Sequence, residues 1–357
     1  MSHLALAIRP GVGQYVCQAG ALSLLDEKLA LFKHPVIITG DKSYAAFLKH
    51  YPGQRQFTVL KYDGTASHED MDRLAKLTPK EADVIIGIGG GRALDTAKGT
   101  ADQLNLEYIT IPTVLGTCAS TAPLAAVYHP DHTFKMAHYF NRAAYLCLAD
   151  LNLLVESPLQ YLMGGIGDTL AKWYEAISVA GQLEQPWPAM VSLGLSAAKL
   201  TQEILLRDSQ EAIASLKAGQ VSPALARVAD AIFAVAAAVG GNAGEYGRMS
   251  AAHAVHNAMS LVPETHHFEH GVKVAYGILV QLTVLGQVDE VERLQVFYRQ
   301  NDFPSKLSQF DVTEDFEAKA KIIADFAASP IETFNLAKKD VTSQEVYDAI
   351  LALEAAQ

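Results

Sequence analysis

The first 155 residues alternate short apolar runs with amphipathic stretches. In PVIITGDKSYAAFLKHY, a run of β-branched residues ends at Gly40 and a helical pattern follows. The same order recurs in FTVLKYDG with SHEDMDRLAKL and in ADVIIGIGGG with RALDTAKGTADQL, and EYITIPT and AYLCLADL add two more apolar runs. Strands that alternate with helices predict an α/β fold with a parallel sheet covered on both faces.

Beyond residue 155 the pattern changes to long stretches rich in Ala, Leu and Val at helical spacing, such as QYLMGGIGDTLAKWYEAISVAGQ and GVKVAYGILVQLTVLGQ. We therefore predict a nucleotide-binding α/β domain over residues 1–155 and an all-helical domain over residues 156–357. A chain of 357 residues exceeds the roughly 250–300 residues that one hydrophobic core usually serves, which agrees with two domains.

Composition and charge exclude several function classes. Half of the residues are apolar and 19% are charged, as in a folded soluble protein. The formal net charge of −11, with no stripe of Lys and Arg, argues against nucleic acid as a partner. Three widely spaced cysteines, Cys17, Cys118 and Cys147, indicate neither a disulfide framework nor a CxxC zinc site, and they fit a reducing cytoplasm.

No segment is expected to enter a membrane. The N-terminal residues lack the pattern of a signal peptide, and no apolar run reaches the ~18 residues needed to span a bilayer. The stretch VADAIFAVAAAVGG is shorter and contains Asp230, so it predicts a buried helix.

A glycine-rich loop follows one of the predicted strands. In VIIGIGGGRALDTAK, Gly89, Gly90 and Gly91 separate a β-branched run from a helical pattern. Residues without Cβ let a phosphate approach the backbone amides at a helix N-terminus. The loop is not a GxGxxG fingerprint, because Arg92 and Leu94 stand where glycine is required. It predicts either a diphosphate site or a tight strand–helix turn.

Asp41 ends the apolar run VIITGD. A carboxylate at the end of a strand can accept hydrogen bonds from ribose hydroxyls and would repel a 2′-phosphate. The alternative is that Asp41 caps the helix that follows.

Five of the twelve histidines lie between residues 253 and 270: His253, His256, His266, His267 and His270. The first two are three apart in a helical pattern and share a face, whereas the other three are expected in a loop. Imidazoles from a helix and a loop can share a divalent cation, although single histidines are more often surface or capped residues.

A carboxylate would complete such a site, and Asp168 in GGIGDTLAKWYEA is the candidate. The alternative for Asp168 is an N-cap at the start of a helix.

Three segments together resemble a known family. In order and spacing, GIGGGRALDTAK, GIGDTLAKWYEA and AAHAVHN…HHFEHGVKVAYGILVQL are similar to the glycerol dehydrogenase branch of the iron-containing (group III) alcohol dehydrogenases. The resemblance covers nearly the whole chain. GIGDTLAKWYEA and KVAYGILVQ resemble most the hydroxycarboxylate dehydrogenase A type.

The resemblance implies an N-terminal nucleotide-binding domain and a C-terminal helical domain, with a metal site and a nicotinamide cofactor. It places the metal ligands on Asp168, His253 and His270, with His256 as a neighbour that lines the pocket. It places the cofactor contacts on Asp41, Gly89, Gly90, Gly91, Arg92, Thr113, Thr117, Leu124 and Tyr128.

The implied reaction is hydride transfer between a secondary alcohol and nicotinamide, assisted by one divalent metal ion. A set of one carboxylate and two imidazoles suits zinc first, and also iron, manganese or nickel. The family commonly forms dimers and larger rings, so we expect a homo-oligomer that acts on a small molecule.

The chain departs from glycerol dehydrogenases in PTVLGTCASTAPL, where Gly116 and Cys118 replace a Ser and a substrate-binding Asp. Lys172 follows Asp168 by four residues and would share its helix face. We therefore expect Lys172 to pair with a substrate carboxylate, which indicates a 2-hydroxy acid and its 2-oxo acid. The alternatives are glycerol as substrate and a surface pair between Lys172 and Glu175.

Asp41 favours NAD, because the ITGDK segment matches NAD-linked glycerol dehydrogenases, whereas NADP-preferring hydroxycarboxylate relatives lack this Asp. Two further readings stay open. One is a dehydroquinate synthase-like lyase or phosphosubstrate dehydrogenase, for which the chain offers few cations near the metal beyond Lys172. The other is a nucleotide sensor without activity, against which the retained ligand types argue.

Overall fold

The structure is a computed structural model that describes residues 8–356. The chain forms two compact units. The first contains the described residues up to Leu162 together with Glu211–Gly241, and the second contains Met163–Gln210 and the described residues from Asn242 onward. These units are discontinuous in sequence, so the expected cut at residue 155 into two folding domains stays a prediction.

A six-stranded parallel sheet forms the centre of the first unit, in the order β1-β8-β5-β4-β2-β3. Its strands are β1 (Tyr15–Gln18), β2 (Pro35–Thr39), β3 (Thr58–Lys61), β4 (Val84–Gly89), β5 (Glu107–Pro112) and β8 (Leu146–Asp150). Strands β2, β4 and β8 are buried along their whole length, which explains why they read as continuous apolar runs. The predicted α/β class is confirmed.

A separate antiparallel pair, β6 (Leu124–Tyr128) and β7 (Phe134–Tyr139), was not predicted. The sequence signal is weak because no residue of β7 is fully buried and its polar and apolar residues do not strictly alternate. The pair directly follows the segment that contains Cys118.

Helices connect the strands of the first unit. Those up to residue 154 are α1 (Leu25–Lys28), α2 (Asp41–His50), α3 (His68–Leu77), α4 (Gly91–Leu104) and α5 (Leu151–Leu154). Helix α4 lies unusually close to β4, because a Cβ on Gly87 would come within 2.7 Å of the Ala97 Cβ. Only glycine on the strand permits this approach.

The rest of the chain is helical, as predicted, and the described residues from 151 onward contain no strand. The helices are α6 (Leu159–Ala180), α7 (Ala189–Ala218), α8 (Pro223–Asp230), α9 (Ala236–Ala243), α10 (Ala251–Met259), α11 (His270–Val284), α12 (Val288–Gln300), α13 (Phe316–Ala327), α14 (Phe334–Ala337) and α15 (Ser343–Ala355).

The apolar stretch around Asp230 is longer than expected. Helices α8 and α9 are joined by a π-helical turn, and the continuous helical run Pro223–Gly247 has 25 residues, enough by length and composition alone to cross a bilayer. The expectation that no run reaches this length was therefore wrong. However, 56% of the apolar window is buried, and Asp230 accepts a hydrogen bond of 2.9 Å from the Tyr15 hydroxyl. This burial supports the interpretation as a core helix.

Candidate metal and nucleotide sites

Asp168, His253 and His270 come together within the second unit, and one potential ligand atom from each lies within 4.8 Å of the others. The Nε2 atoms of His253 and His270 each lie 3.3 Å from Asp168 Oδ1. Asp168 and His253 are buried, whereas the side chain of His270 is 46% exposed. Two imidazole nitrogens and one carboxylate oxygen thus converge on a single point.

A contact between glycines brings these ligands together. Helix α6 carries Asp168, and α11 begins at His270. A Cβ on Gly271 would lie 1.8 Å from the Gly164 carbonyl oxygen, and a Cβ on Gly167 would lie 2.2 Å from the Gly271 carbonyl oxygen. Any larger residue would force the two backbones apart, so these glycines set the distance between Asp168 and His270. The sequence did not predict this contact, although GGIGD and HGVKV contain the glycines.

The secondary structure expected from the sequence was wrong at Asp168 and at His270. Asp168 lies inside α6 and is not an N-cap, because the helix begins nine residues earlier at Leu159. His270 is the first residue of a helix and not part of a loop, while His266 and His267 end a short 3₁₀ turn.

Glu175 supports His253 from behind. It is buried and lies three residues after Lys172 in α6. Its carboxylate lies 2.8 Å from His253 Nδ1. It also accepts hydrogen bonds from the backbone amides of Ser250 (2.8 Å) and His253 (3.0 Å). A carboxylate at Nδ1 leaves Nε2 free to bind a metal. The alternative from the sequence, a pair between Lys172 and Glu175 on the helix surface, was wrong about the location of Glu175, because this residue is buried.

The electrostatics of the cluster favour positive charge. Burial alone would raise the pKa of Asp168, but Lys172 and the two neighbouring imidazoles outweigh it and hold this pKa well below its usual range. Burial would lower the pKa of His253, but Glu175 and Asp168 raise it to about 9. The two buried carboxylates thus favour the protonated form of His253.

The remaining histidines differ in their surroundings. His256 adjoins the cluster, with its Nε2 at 3.0 Å from His270 Nδ1, and burial and the nearby imidazoles hold its pKa well below the usual range. His266 instead contacts the Ser260 carbonyl oxygen at 2.8 Å, and His267 lies 3.3 Å from Asp311.

The glycine loop lies at the carboxyl end of β4. Gly89 has φ of +153°, a value that favours glycine, and a Cβ there would approach the Ala93 Cβ to 2.6 Å. Gly90 is the N-cap of α4, and Gly91 is its first residue. The loop therefore forms the tight strand–helix turn, and it also presents the amides of a helix N-terminus.

Other candidate cofactor residues surround this loop. The Thr113 amide donates to the Gly89 carbonyl oxygen at 3.1 Å, and a Cβ on Gly91 would lie 3.4 Å from Thr117 Oγ1. The Arg92 guanidinium lies 5.1 Å from the centre of the Tyr128 ring. Thr117 caps the 3₁₀ turn Cys118–Ser120, and Leu124 begins β6.

Asp41 is the first residue of α2, and Gly40 is the N-cap, so the alternative of a capping Asp41 was wrong. The Asp41 side chain is 94% exposed, and its Oδ1 lies 3.1 Å from Lys61 Nζ. Lys61 ends β3, the strand next to β2. This cation beside Asp41 was not expected from the sequence.

A buried lysine fixes the loop that contains Cys118. Lys98 Nζ donates to the carbonyl oxygens of Ala119 (2.7 Å) and Leu124 (2.5 Å) and lies 2.7 Å from Asp95 Oδ1. Lys98 lies on α4, so one helix carries both the N-terminus beside the glycine loop and the anchor of the Cys118 loop. The i,i+3 spacing of Asp95 and Lys98 in RALDTAK was the available signal.

Comparison with known proteins identifies the family. Residues 13–151 match the family model described as iron-containing alcohol dehydrogenase. Hydroxycarboxylate dehydrogenase A of Escherichia coli (strain K12) is 33% identical, and the match covers 99% of each chain. The chain belongs to the iron-containing alcohol dehydrogenase family.

Relatives of this chain include glycerol dehydrogenases. That of Pseudomonas putida is 31% identical over 96% of this chain and 95% of the relative. The solved structure of a probable glycerol dehydrogenase from Sinorhizobium meliloti 1021 has a TM-score of 0.85, 27% identity and 97% coverage of both chains. The resemblance and the fold inferred from the sequence are therefore confirmed, and the chain is an oxidoreductase of this family.

Proposed function

We propose that this protein uses one divalent metal ion and NAD to transfer a hydride between nicotinamide and a small secondary alcohol. We further propose that the substrate pair is a 2-hydroxy acid and its 2-oxo acid. The observation that carries the proposal is the convergence of Asp168, His253 and His270 on one point.

The donor set fits a divalent cation. One carboxylate and two imidazoles suit zinc, and also iron, manganese or nickel. The buried carboxylates of Asp168 and Glu175 flank His253, so a cation there would balance their charge. When bound, the cation supplies Lewis acidity that polarises the substrate oxygen and eases loss of the hydroxyl proton. Glu175 orients His253 by accepting a hydrogen bond from its Nδ1–H.

The first unit supports a nucleotide role. The amides around Gly89–Gly91 and the N-terminus of α4 suit a diphosphate, and the exposed carboxylate of Asp41 suits ribose hydroxyls. NAD, when bound, supplies the hydride chemistry, while Thr113, Thr117, Leu124 and Tyr128 are proposed to position it. NADP is the alternative, because Lys61 beside Asp41 offers a cation to a 2′-phosphate.

Lys172 supports an acidic substrate. Its ammonium is close enough to lower the pKa of Asp168, so it contributes positive charge beside the proposed metal site. A substrate carboxylate would be a natural partner for this charge. Cys118, which replaces the Asp of glycerol dehydrogenases, is proposed as a specificity residue because it removes a charge that would repel a carboxylate. The relative named hydroxycarboxylate dehydrogenase A agrees with this choice.

Glycerol with dihydroxyacetone is the second candidate pair. It is favoured by the names of several relatives, including the glycerol dehydrogenase of Pseudomonas putida. It is disfavoured by Gly116 and Cys118, which offer no carboxylate to substrate hydroxyls.

The test is a steady-state comparison of zinc-reconstituted enzyme with 2-oxobutyrate, 2-oxoglutarate, dihydroxyacetone and simple aldehydes, using NADH and NADPH. We expect the highest kcat/KM with a 2-oxo acid and NADH. Lys172→Met should lower kcat/KM for 2-oxo acids by about 10- to 100-fold, as for a lost charge-assisted hydrogen bond, and leave aldehydes nearly unchanged.

The matched control is Lys321→Met, which removes an exposed lysine from α13 in the same unit. An equal loss for acids and aldehydes in Lys172→Met would refute the carboxylate role. A preference for dihydroxyacetone would establish the glycerol alternative.

A further inference from the structure

His270 is held from behind by a chain of polar side chains that ends at a carboxylate. His270 Nδ1 lies 3.0 Å from His256 Nε2, and His256 Nδ1 lies 3.1 Å from Asn257 Oδ1. Asn257 Nδ2 donates to both carboxylate oxygens of Glu332, at 3.1 and 3.3 Å. All four residues lie in the second unit.

The direction of these hydrogen bonds follows from the chemistry at the two ends. An ionised carboxylate only accepts hydrogen bonds, so Glu332 requires the amide NH₂ of Asn257 to face it. The amide oxygen must then face His256, which places the proton of a neutral His256 on Nδ1. His256 Nε2 therefore accepts a hydrogen bond from the His270 Nδ1–H. The lone pair of His270 Nε2 then faces Asp168 Oδ1, and a cation bound between these two acceptors would satisfy both.

The opposite direction leads to a conflict. If His270 carried its proton on Nε2, its Nδ1 would accept from His256 Nε2, and His256 Nδ1 would have no proton. Asn257 would then have to turn its NH₂ toward His256 and its oxygen toward Glu332. Two acceptors would face each other in a partly buried place, which is unfavourable.

We infer that Asn257 and Glu332 are positioning residues that, through His256, hold His270 in the tautomer that can bind a metal. Glu332 lies just before α14, far along the chain from α10 and α11. Glu175 orients His253 by direct contact with its Nδ1, whereas Glu332 orients His270 through the two intervening residues His256 and Asn257. The inference rests on the proposed metal function of the Asp168, His253 and His270 cluster.

The test measures the dissociation constant of Zn²⁺ for the metal-free full chain by competition with a chromogenic chelator at pH 8, together with the unfolding midpoint. In Glu332→Gln, the new amide can donate or accept, so the direction is no longer imposed. We expect Zn²⁺ binding to weaken by about 10- to 100-fold, as for other residues that orient metal ligands. Glu332→Asp, which restores a carboxylate, should recover part of the affinity.

Glu264→Gln is the matched control, since it makes the same chemical change in the same unit and breaks the 2.5 Å contact with Lys319. It should leave the Zn²⁺ dissociation constant unchanged. The visible spectrum of the Co²⁺-loaded protein gives a second readout, which should change in Glu332→Gln and not in Glu264→Gln.

Three outcomes are distinct. If the wild-type chain binds no Zn²⁺, the proposed metal site and this inference both fall. If the wild type binds Zn²⁺ and Glu332→Gln binds it within about twofold, the inference alone is overturned. A lower unfolding midpoint with unchanged affinity and spectrum would assign Asn257 and Glu332 to stability and would also overturn it.

Discussion

Replacement of Lys98 by Met tests whether the buried lysine holds the Cys118 loop. The ammonium is fully buried, and it contacts Asp95 and the carbonyl oxygens of Ala119, Ala122 and Leu124 at 2.5–3.2 Å. Methionine has a similar length but donates no hydrogen bond. The substitution therefore removes every one of these contacts with little change in volume.

The expected loss in the free energy of unfolding follows from the buried groups that lose their partner, above all the Asp95 carboxylate. Removing one partner of a buried ion pair typically costs about 3–5 kcal/mol, because the other charge loses its compensation. Asp95 keeps one hydrogen bond, from the Ala126 amide at 3.0 Å. Burial also raises the pKa of Asp95, so its protonation limits the loss. We expect a loss of about 3–4 kcal/mol in the free energy of unfolding.

The assay is thermal unfolding with the KM for NADH as a second readout. For a unit of about this size, each kcal/mol lowers the midpoint by roughly 2–4 °C, which predicts a fall of about 6–16 °C. The KM for NADH should rise, because Thr117 and Cys118 lie in the loop that loses its anchor. The control is Lys76→Met, which removes an exposed lysine from α3.

Two results would refute this reasoning. One is a midpoint within about 2 °C of the wild type, which would mean that the buried contacts contribute little. The other is an additive loss when Asp95→Asn is combined with Lys98→Met, since residues in direct contact should show a coupling of about 0.5–3 kcal/mol.

Three further predictions concern the two sites. Gly271→Ala should weaken Zn²⁺ binding more than tenfold, because the new Cβ would lie 1.8 Å from the Gly164 carbonyl oxygen; unchanged affinity in a chelator competition would contradict it. In the metal-free protein, the pKa of His253 is raised to about 9, so its contribution to stability is complete below pH 6.5 and is lost as pH rises to 9. The unfolding midpoint should fall over this interval, and saturating Zn²⁺ should remove the fall. Asp41→Gly should free Lys61 and raise kcat/KM with NADPH, and adding Lys61→Gln should abolish that gain; no gain in the single variant would count against the role of Asp41.

The sequence predicted the fold well where the signal is local. Continuous apolar runs such as VIIGIG mark fully buried parallel strands, and the confirmed order of strands and helices follows from them. The pair β6 and β7 was not predicted, because a strand without a fully buried face shows no regular alternation of apolar and polar residues. The length of the helical run around Asp230 was underestimated because its flanks are less apolar than its centre.

The site was predictable only in part. Motif resemblance indicated Asp168, His253 and His270, and the structure brings them together. The sequence alone did not show that Glu175 is buried behind His253, because position on a helix does not reveal which face a neighbouring element covers. The role of Glu332 could not be predicted either, because its partner Asn257 is 75 residues away in the sequence.

The glycine contact between α6 and α11 has a consequence for how this site can change. The spacing between the carboxylate and the imidazole is set by two backbones, one at Gly167 and the other at Gly271, and not by the side chains that bind. The side chains at these positions can therefore be exchanged without changing the distance between the two helix backbones. If the proposed metal function holds, we expect substitutions at positions 168 and 270 to alter metal preference without repacking the helices, provided that both glycines are retained.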